Sequence, residues 1–268
     1  MKTAMPKFSV VTVVLNDQAG LLRTGLSILS QTCDLEWIVV DGGSSDAALA
    51  VLRNFGDEVR WISEKDNGIF DAMNKGCRMC NGDYVVFLNA GDCFSDSETL
   101  SDVGAFLSVD QNSAIDVLCC GANLVLANGG QAYRPPRRAD EYIWHGLPAN
   151  HQATYYRKEI LGAEPYDISY RYCGDYFLAA KLHTEKAVFG HLNRPVVEFQ
   201  LNGVSFRWRS ALFMEPYVIQ KNVLTIGFGL RVLSLMKRFM ASAALHLFNL
   251  PLLGNALLKI YSYIGYGK

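Results

Sequence analysis

Neither G-x-x-x-x-G-K-[ST] nor G-x-G-x-x-G occurs anywhere in the 268 residues, which removes the P-loop and the dinucleotide fingerprint as explanations of a nucleotide site. ATPase and dehydrogenase readings lose their main support. The chain also lacks an excess of one charge. Its formal net charge is −1, without the basic surplus of a nucleic-acid binder, so no nucleic-acid partner is expected. The N-terminal MKTAMPKFSV has no long apolar core of a secretory signal. Seven cysteines, an odd number, fit a reducing cytosol. Cys77 and Cys80 form one C-x-x-C, but no second pair follows at metal-ligand spacing, and the motif lies in a helical run. Packing is favoured there over metal or redox use. Finally, no Asp or Glu follows Glu215, whereas Lys221, Arg231, Lys237, Arg238, Lys259 and Lys268 do.

What is present is a large apolar fraction, 50% of residues against 19% charged, enough for a substantial core. FSVVTVVL (8–15) and LEWIVV (35–40) are short β-branched runs of the kind buried on both faces of a parallel sheet. A helical pattern lies between them. Further strands are expected at 59–63, 84–88 and 114–120, and helices at 44–55, 68–80 and 98–107. This alternation predicts an α/β fold with a mostly parallel sheet flanked by helices. The stretch 128–138, rich in Gly, Pro and Arg, reads as a loop. HQATYY, DYFLAAKLH and AVFGHL to VVEFQL read as strand, helix and strand of the same domain.

Ligands of open parallel sheets bind beyond the carboxyl ends of the strands, which here carry Asn16-Asp17, Asp41 to Ser44, Glu64 to Gly68 and Asn89 to Asp92. DGGSSD offers a carboxylate for a base N–H, glycines for close backbone approach and hydroxyls beside a helix start. A capped loop with no ligand explains it about as well. Asp92, closing FLNAGD, is suited to a divalent cation whose remaining ligands are substrate phosphates. Asp175, at a helix start in YRYCGDYFLAAK, is either a cap or a general base. His151, which opens an apolar strand with Gln152, is either a satisfied core imidazole or a functional one.

Taken together, TVVLND, IVVDGGSSD, SEKDNGIFDAMNKG and GDYVVFLNAGD resemble, in order and spacing, the nucleotide-sugar-binding half of the inverting family 2 glycosyltransferases of GT-A fold. LPANHQATYY, YDISYRYCGDYFLAAK and VVEFQLNGVS extend the resemblance to about residues 8–206, toward the colanic acid biosynthesis branch. It implies a GT-A, Rossmann-like catalytic domain over residues 1–215, with a nucleotide-sugar half (1–95) and an acceptor half (96–215). Thr12, Asn16, Asp41 and Ser44 would then line the nucleoside pocket, and Lys75 would meet ribose or diphosphate charge. Asp92 would hold Mn2+ or Mg2+, although the first and third positions of the family's D-x-D region are here Asn89 and Gly91. Asp175 would deprotonate the acceptor hydroxyl, and His151 and Gln152 would face the acceptor. Arg and His often found after the last strand are replaced by Gln200, Asn202 and Ser205, leaving Lys75, a metal, Arg207 or Arg209 to neutralise the diphosphate.

The implied activity is transfer of a sugar from a nucleotide-diphosphate sugar to a lipid-linked saccharide during exopolysaccharide assembly. A non-catalytic nucleotide-sugar-binding scaffold is the alternative, and retention of Asp92 and Asp175 argues against it. The basic, apolar tail (216–268) has the composition of helices lying on an anionic bilayer. That predicts peripheral attachment to the cytoplasmic face of the bacterial inner membrane. Its apolar side could instead pack on the catalytic domain or on a second copy, as a homodimer.

Overall fold

A computed structural model describes residues 5–125, 130–200 and 211–248. Asn202, Ser205, Arg207, Arg209, the start of the expected 128–138 loop and the tail from residue 249 lie outside the described residues. The first half alternates as expected: β1 (Phe8–Val14), α1 (Gln18–Leu29), β2 (Leu35–Asp41), α2 (Asp46–Asn54), β3 (Arg60–Ser63), α3 (Ile69–Met79) and β4 (Tyr84–Phe87). After these come β5 (Cys93–Phe94), α4 (Thr99–Leu107), β6 (Val117–Val125), β7 (Gln131–Arg134) and α5 (Ala139–Tyr142). The chain continues through β8 (Thr154–Arg157), α6 (Lys158–Leu161), α7 (Gly174–Thr184), β9 (Phe189–Gln200), α8 (Ala211–Asn222) and α9 (Phe228–Phe248).

All nine strands join one sheet in the order β3-β2-β1-β4-β8-β6-β9-β5, with β7 on β6. The parallel expectation holds for β1 to β4, and needs correction beyond them. β8 runs antiparallel to both β4 and β6, while β6 and β9 are parallel to each other, so the sheet is mixed. The cause is connectivity. Beyond β4 the strands are joined by long excursions and a β6–β7 pairing rather than by single crossover helices, so direction is no longer imposed. The expected 128–138 loop therefore contains a strand, QAYR, which pairs with the end of β6. HQATYY begins with a 3-10 turn, and only Thr154 onward is strand.

Both faces of the N-terminal sheet are covered, as the uninterrupted apolar runs require. Phe8, Val10 and Val14 of β1 pack with Leu21, Ile28 and Trp37 in one cluster, whereas Val11 and Val13 pack with Phe70, Met73, Leu178 and Leu182 in the other. All seven cysteines are free, and Cys77 and Cys80 are buried. Burial pushes the Cys80 thiol up to about 12, so the C-x-x-C is core packing.

The expected break after residue 215 falls inside α8. Ile219 of that helix is buried with Ile143, Tyr176, Ala179 and Ala180, so the globular body extends through α8. α9 is amphipathic in a second sense. Ser234 is buried and Arg231 lies over the Tyr217 ring, whereas Leu230, Leu233, Met236 and Met240 are exposed. No helix among the described residues is long and apolar enough to cross a membrane.

Candidate functional site

The carboxyl ends of β1, β2 and β4 lie side by side, because Val14 is in register with Asp41 and the Ala90 amide donates to the Val13 carbonyl. Asp41 is fully buried. Its Oδ2 accepts from the Gly43 and Ser44 amides at 3.2 and 2.9 Å and from Ser63 Oγ at 2.6 Å, closing the DGGS turn. Its Oδ1 is buried without a partner. A buried carboxylate oxygen lacking a donor is costly unless a ligand N–H supplies one. Asn16, held at φ 53°, clasps the same turn: its amide donates to Ser44 Oγ at 2.7 Å and its Oδ1 accepts from the Ser45 amide at 3.0 Å. Asparagine tolerates that left-handed backbone better than most residues do. Asn16, Asp41 and Ser44 are thus brought together.

Thr12 and Lys75 are placed otherwise than expected. The Thr12 hydroxyl accepts from Trp37 Nε1 at 3.0 Å inside the core, because its position on β1 turns it to the same face as Val10 and Val14. Lys75 is buried, and its ammonium lies 2.9 Å from Glu64, 3.6 Å from Asp71 and 3.0 Å from the Lys65 carbonyl. Burial alone would lower its pKa, but the hydrogen bond to Glu64 and the charges of Asp71, Glu64 and Asp66 raise it. Lys75 ties down the SEKDN loop, and its charge is already matched.

Asp92 follows a turn wired to α1. Thr24 Oγ1 accepts from the Gly91 amide at 3.0 Å and donates to the Asp92 carbonyl at 2.7 Å, with Gly91 at φ 100° making the bend. The carboxylate is buried. Its Oδ2 accepts from Gln152 Nε2 at 3.0 Å, and its Oδ1 faces the Gln200 amide at 3.4 Å. Burial pushes its pKa up to about 7, and the two hydrogen bonds and Arg23 oppose that only partly. No cluster of three acidic, His or Cys ligands exists among the described residues, although Asn89 Oδ1 nearby in sequence is buried without a partner. This oxygen set fits a hard cation held through one carboxylate and a ligand's own oxygens, and does not fit one enclosed by protein alone.

His151 and Gln152 require a correction. Gln152 orients Asp92, and His151 stacks on Phe87 at 5.2 Å with Nε2 3.3 Å from the Tyr166 hydroxyl. Burial lowers the His151 pKa to about 4, so it is a neutral core residue at physiological pH. Neither borders the cavity at Asp175. Both lie in a 3-10 turn at 151–153 rather than in the expected strand, and both are buried.

Asp175 stands in the first turn of α7, one residue beyond Gly174, whose Cβ position is blocked by the Phe70 ring at 2.7 Å. Its Oδ1 accepts from the adjacent Tyr176 amide at 2.7 Å. The side chain borders a cavity of about 250 Å3 shared with Arg134, Tyr142, Tyr172, Tyr176 and Arg238. Burial pushes its pKa up to about 6 against the pull of Tyr176, Arg134 and Arg238. A carboxylate poised near neutrality at a cavity wall is what a general base needs.

Three residues that motif reading missed complete the site. Glu215 of α8 accepts from the Arg171, Tyr172 and Cys173 amides at 3.0, 3.0 and 2.8 Å, fixing the segment that leads into Asp175. Its signal in the sequence is faint: it is the last acid before an acid-free tail. Arg134 and Arg238 reach the Asp175 cavity from β7, within the expected loop, and from α9, within the expected tail. No motif marks either of them.

A family model described as glycosyl transferase family 2 matches residues 9–174. A PGL/p-HBAD biosynthesis glycosyltransferase of Mycobacterium bovis (strain BCG / Pasteur 1173P2) is 32% identical over 182 residues, 65% of this chain and 68% of the relative. Among solved structures, S. aureus TarS superposes with a TM-score of 0.62 at 17% identity, covering 88% of this chain. The match spans 43% of that TarS chain. The mannosyltransferase PcManGT from Pyrobaculum calidifontis, solved with GDP-Man and Mn2+, superposes with a TM-score of 0.58 at 14% identity, covering 97% of this chain and 84% of its own. The last two are likenesses of fold.

Proposed function

This chain belongs to glycosyl transferase family 2 and is a glycosyltransferase; from that premise we propose that it moves a sugar, with inversion, from a nucleotide-diphosphate sugar to a lipid-linked saccharide. The observation that carries this reading is Asp175, a desolvated carboxylate with a free approach from a cavity. Asp175 takes the proton of the acceptor hydroxyl, and the oxygen forms a bond to the anomeric carbon. The bond from that carbon to the diphosphate oxygen breaks, and the nucleoside diphosphate leaves with the electron pair. A single carboxylate suffices for such an in-line displacement.

The donor base is read at the Asp41 turn, where the buried, unpartnered Oδ1 meets a base N–H. Asn16 and Ser44 hold that turn in shape. Asp92 would hold a divalent cation, Mn2+ or Mg2+, together with donor oxygens, and such a cation would neutralise the charge that develops on the leaving diphosphate. The solved neighbour with GDP-Man and Mn2+ supports this assignment by analogy of fold. A thermal-shift screen of UDP- and GDP-sugars with and without Mn2+ tests it. One nucleotide sugar should raise Tm, and Asp41→Asn should weaken its binding roughly tenfold or more, because an amide at Oδ1 places a donor where an acceptor is required. Equal shifts for wild type and variant would remove Asp41 from the base site.

The resemblance of LPANHQATYY and its successors to the colanic acid branch supports a role in exopolysaccharide assembly. α9 supports attachment at the cytoplasmic face of the inner membrane, since its exposed Leu230, Leu233, Met236 and Met240 accompany Lys221 and Lys237 in a segment without acids. Leu233→Glu with Met236→Glu should abolish flotation with vesicles containing anionic phosphatidylglycerol and leave neutral vesicles unbound throughout. Undiminished flotation of the double variant would eliminate this face as the membrane contact.

A further inference from the structure

Five described arginines have carboxylate partners: Arg60 with Glu36, Arg78 with Glu164, Arg138 with Asp140, Arg157 with Asp116 and Arg194 with Asp96. The two that reach the Asp175 cavity do not. Arg134 donates to Asn150 Oδ1 at 2.6 Å and to the Leu147 carbonyl at 3.3 Å, both neutral acceptors. Arg238 donates to the His145 carbonyl and lies over the Tyr176 ring, while its Nε is buried without a partner. Two guanidinium charges thus share a cavity whose one acidic lining residue is Asp175, and neither forms an ion pair among the described residues. Two half-buried cations against the single Asp175 carboxylate leave net positive charge in the cavity, which a ligand's negative charge would balance. His145, on the same wall, is held neutral down to about 4 by burial and by the charges of Arg238, Lys237 and Arg137, so the local field is positive.

None of the residues lining this cavity belongs to the turns at Asn16, Asp41 and Asp92, where the donor is assigned. A cavity that holds the base but none of the donor turns is the place we assign to the acceptor. α9 adds a direction: it sends Arg238 inward to the cavity and carries Leu230, Leu233 and Met236 on its exposed side. We propose that Arg134 and Arg238 form a recognition site for a phosphate or diphosphate group of the acceptor, at the point where its saccharide joins the lipid. This rests on the glycosyltransferase reading above and narrows its acceptor. With about 250 Å3 shared by base and guanidiniums, the attacked hydroxyl belongs to a sugar close to that phosphate. The enzyme acts early in chain assembly, on a short lipid-phosphate-linked saccharide supplied by a sugar-phosphate or sugar transfer onto the lipid phosphate.

Titration of the full chain with farnesyl diphosphate, farnesol, UDP and GDP tests this. Farnesyl diphosphate should bind at least roughly tenfold tighter than farnesol, and Arg134→Gln and Arg238→Gln should each weaken it by about tenfold. The better of the two nucleotides should bind the variants within about twofold of wild type. Arg238→Lys retains the charge and should retain most of the affinity, which separates lost recognition from lost folding. Wild-type farnesyl diphosphate affinity in both glutamine variants overturns the proposal. A loss that falls on the nucleotide instead also overturns it, by assigning the pair to the donor diphosphate. Failure of the wild type to bind either nucleotide would count against the donor reading alone, because the farnesyl diphosphate comparison does not depend on it.

Discussion

Asp175→Asn is expected to lower turnover by about 10^2 to 10^4-fold, the range associated with losing a positioned general base, while donor binding stays within a few-fold of wild type. The amide keeps the size of the carboxylate and can still accept from the Tyr176 amide, so geometry is preserved and basicity is lost. In the wild type, kcat/KM should fall about tenfold per pH unit below about 6, as the raised carboxyl takes up its proton. Residual activity of the variant should lose the Asp175 contribution and fall less steeply at acid pH, keeping only the limb set by Asp92. Stability should move the other way. The folded-state pKa lies above the usual value of 3.8, so the folded protein holds this proton more tightly than the unfolded chain, and the ionised form destabilises it as pH rises from about 4 through about 6. Replacing the carboxylate should therefore raise Tm at pH 7 by roughly 3–6 °C, after allowing for solvent at the cavity mouth, with the difference vanishing below pH 4. Wild-type turnover in the variant would remove Asp175 from the chemistry. A Tm that falls at pH 7 would mean that the carboxylate is a structural cap.

The first half of the fold was legible because β1, β4 and most of β2 are buried on both faces and successive strands are joined through helices, so apolar runs and turn residues map directly onto elements. Beyond Leu88 the chain folds by long-range pairing. β8 inserts between β4 and β6 in the opposite direction, and nothing in TYYR announces an orientation. The same contrast holds within the site. Asp41, Asn16 and Ser44 are close in space because they sit at the ends of neighbouring parallel strands, a rule that spacing can exploit. Thr12 lies on the same face as Asp41 but two residues deeper in β1, inside the core, where the Trp37 indole donates to its hydroxyl. Gln152 was marked by its motif but not by its role, since its contact with Asp92 spans 60 residues. Arg134 and Arg238 carry no local signal: their meaning comes from sharing one cavity with the single carboxylate of Asp175, which only packing reveals.

Glu215→Ala should cost about 3 kcal/mol of stability and lower turnover by roughly 10 to 10^2-fold, although Glu215 does not line the cavity at Asp175. Its carboxylate accepts from three consecutive amides, Arg171, Tyr172 and Cys173, immediately before α7. Hydrogen bonds from N–H groups to a charged acceptor are the stronger kind, and a negative charge near a helix start is further favoured by the helix dipole. Without it the buried Cys173 amide has no replacement, and the segment carrying Asp175 loses its anchor on α8. Glu215→Gln keeps one acceptor oxygen and should lose about 1 kcal/mol, with turnover closer to wild type. Melting and steady-state kinetics of the two variants check this; a Glu215→Ala protein with wild-type Tm and kcat would show that the 171–173 turn holds itself. The consequence reaches the tail. Since α8 fixes the base-bearing segment and α9 lends Arg238 to the same cavity, removal of the chain beyond residue 215 should abolish transfer even with a soluble acceptor.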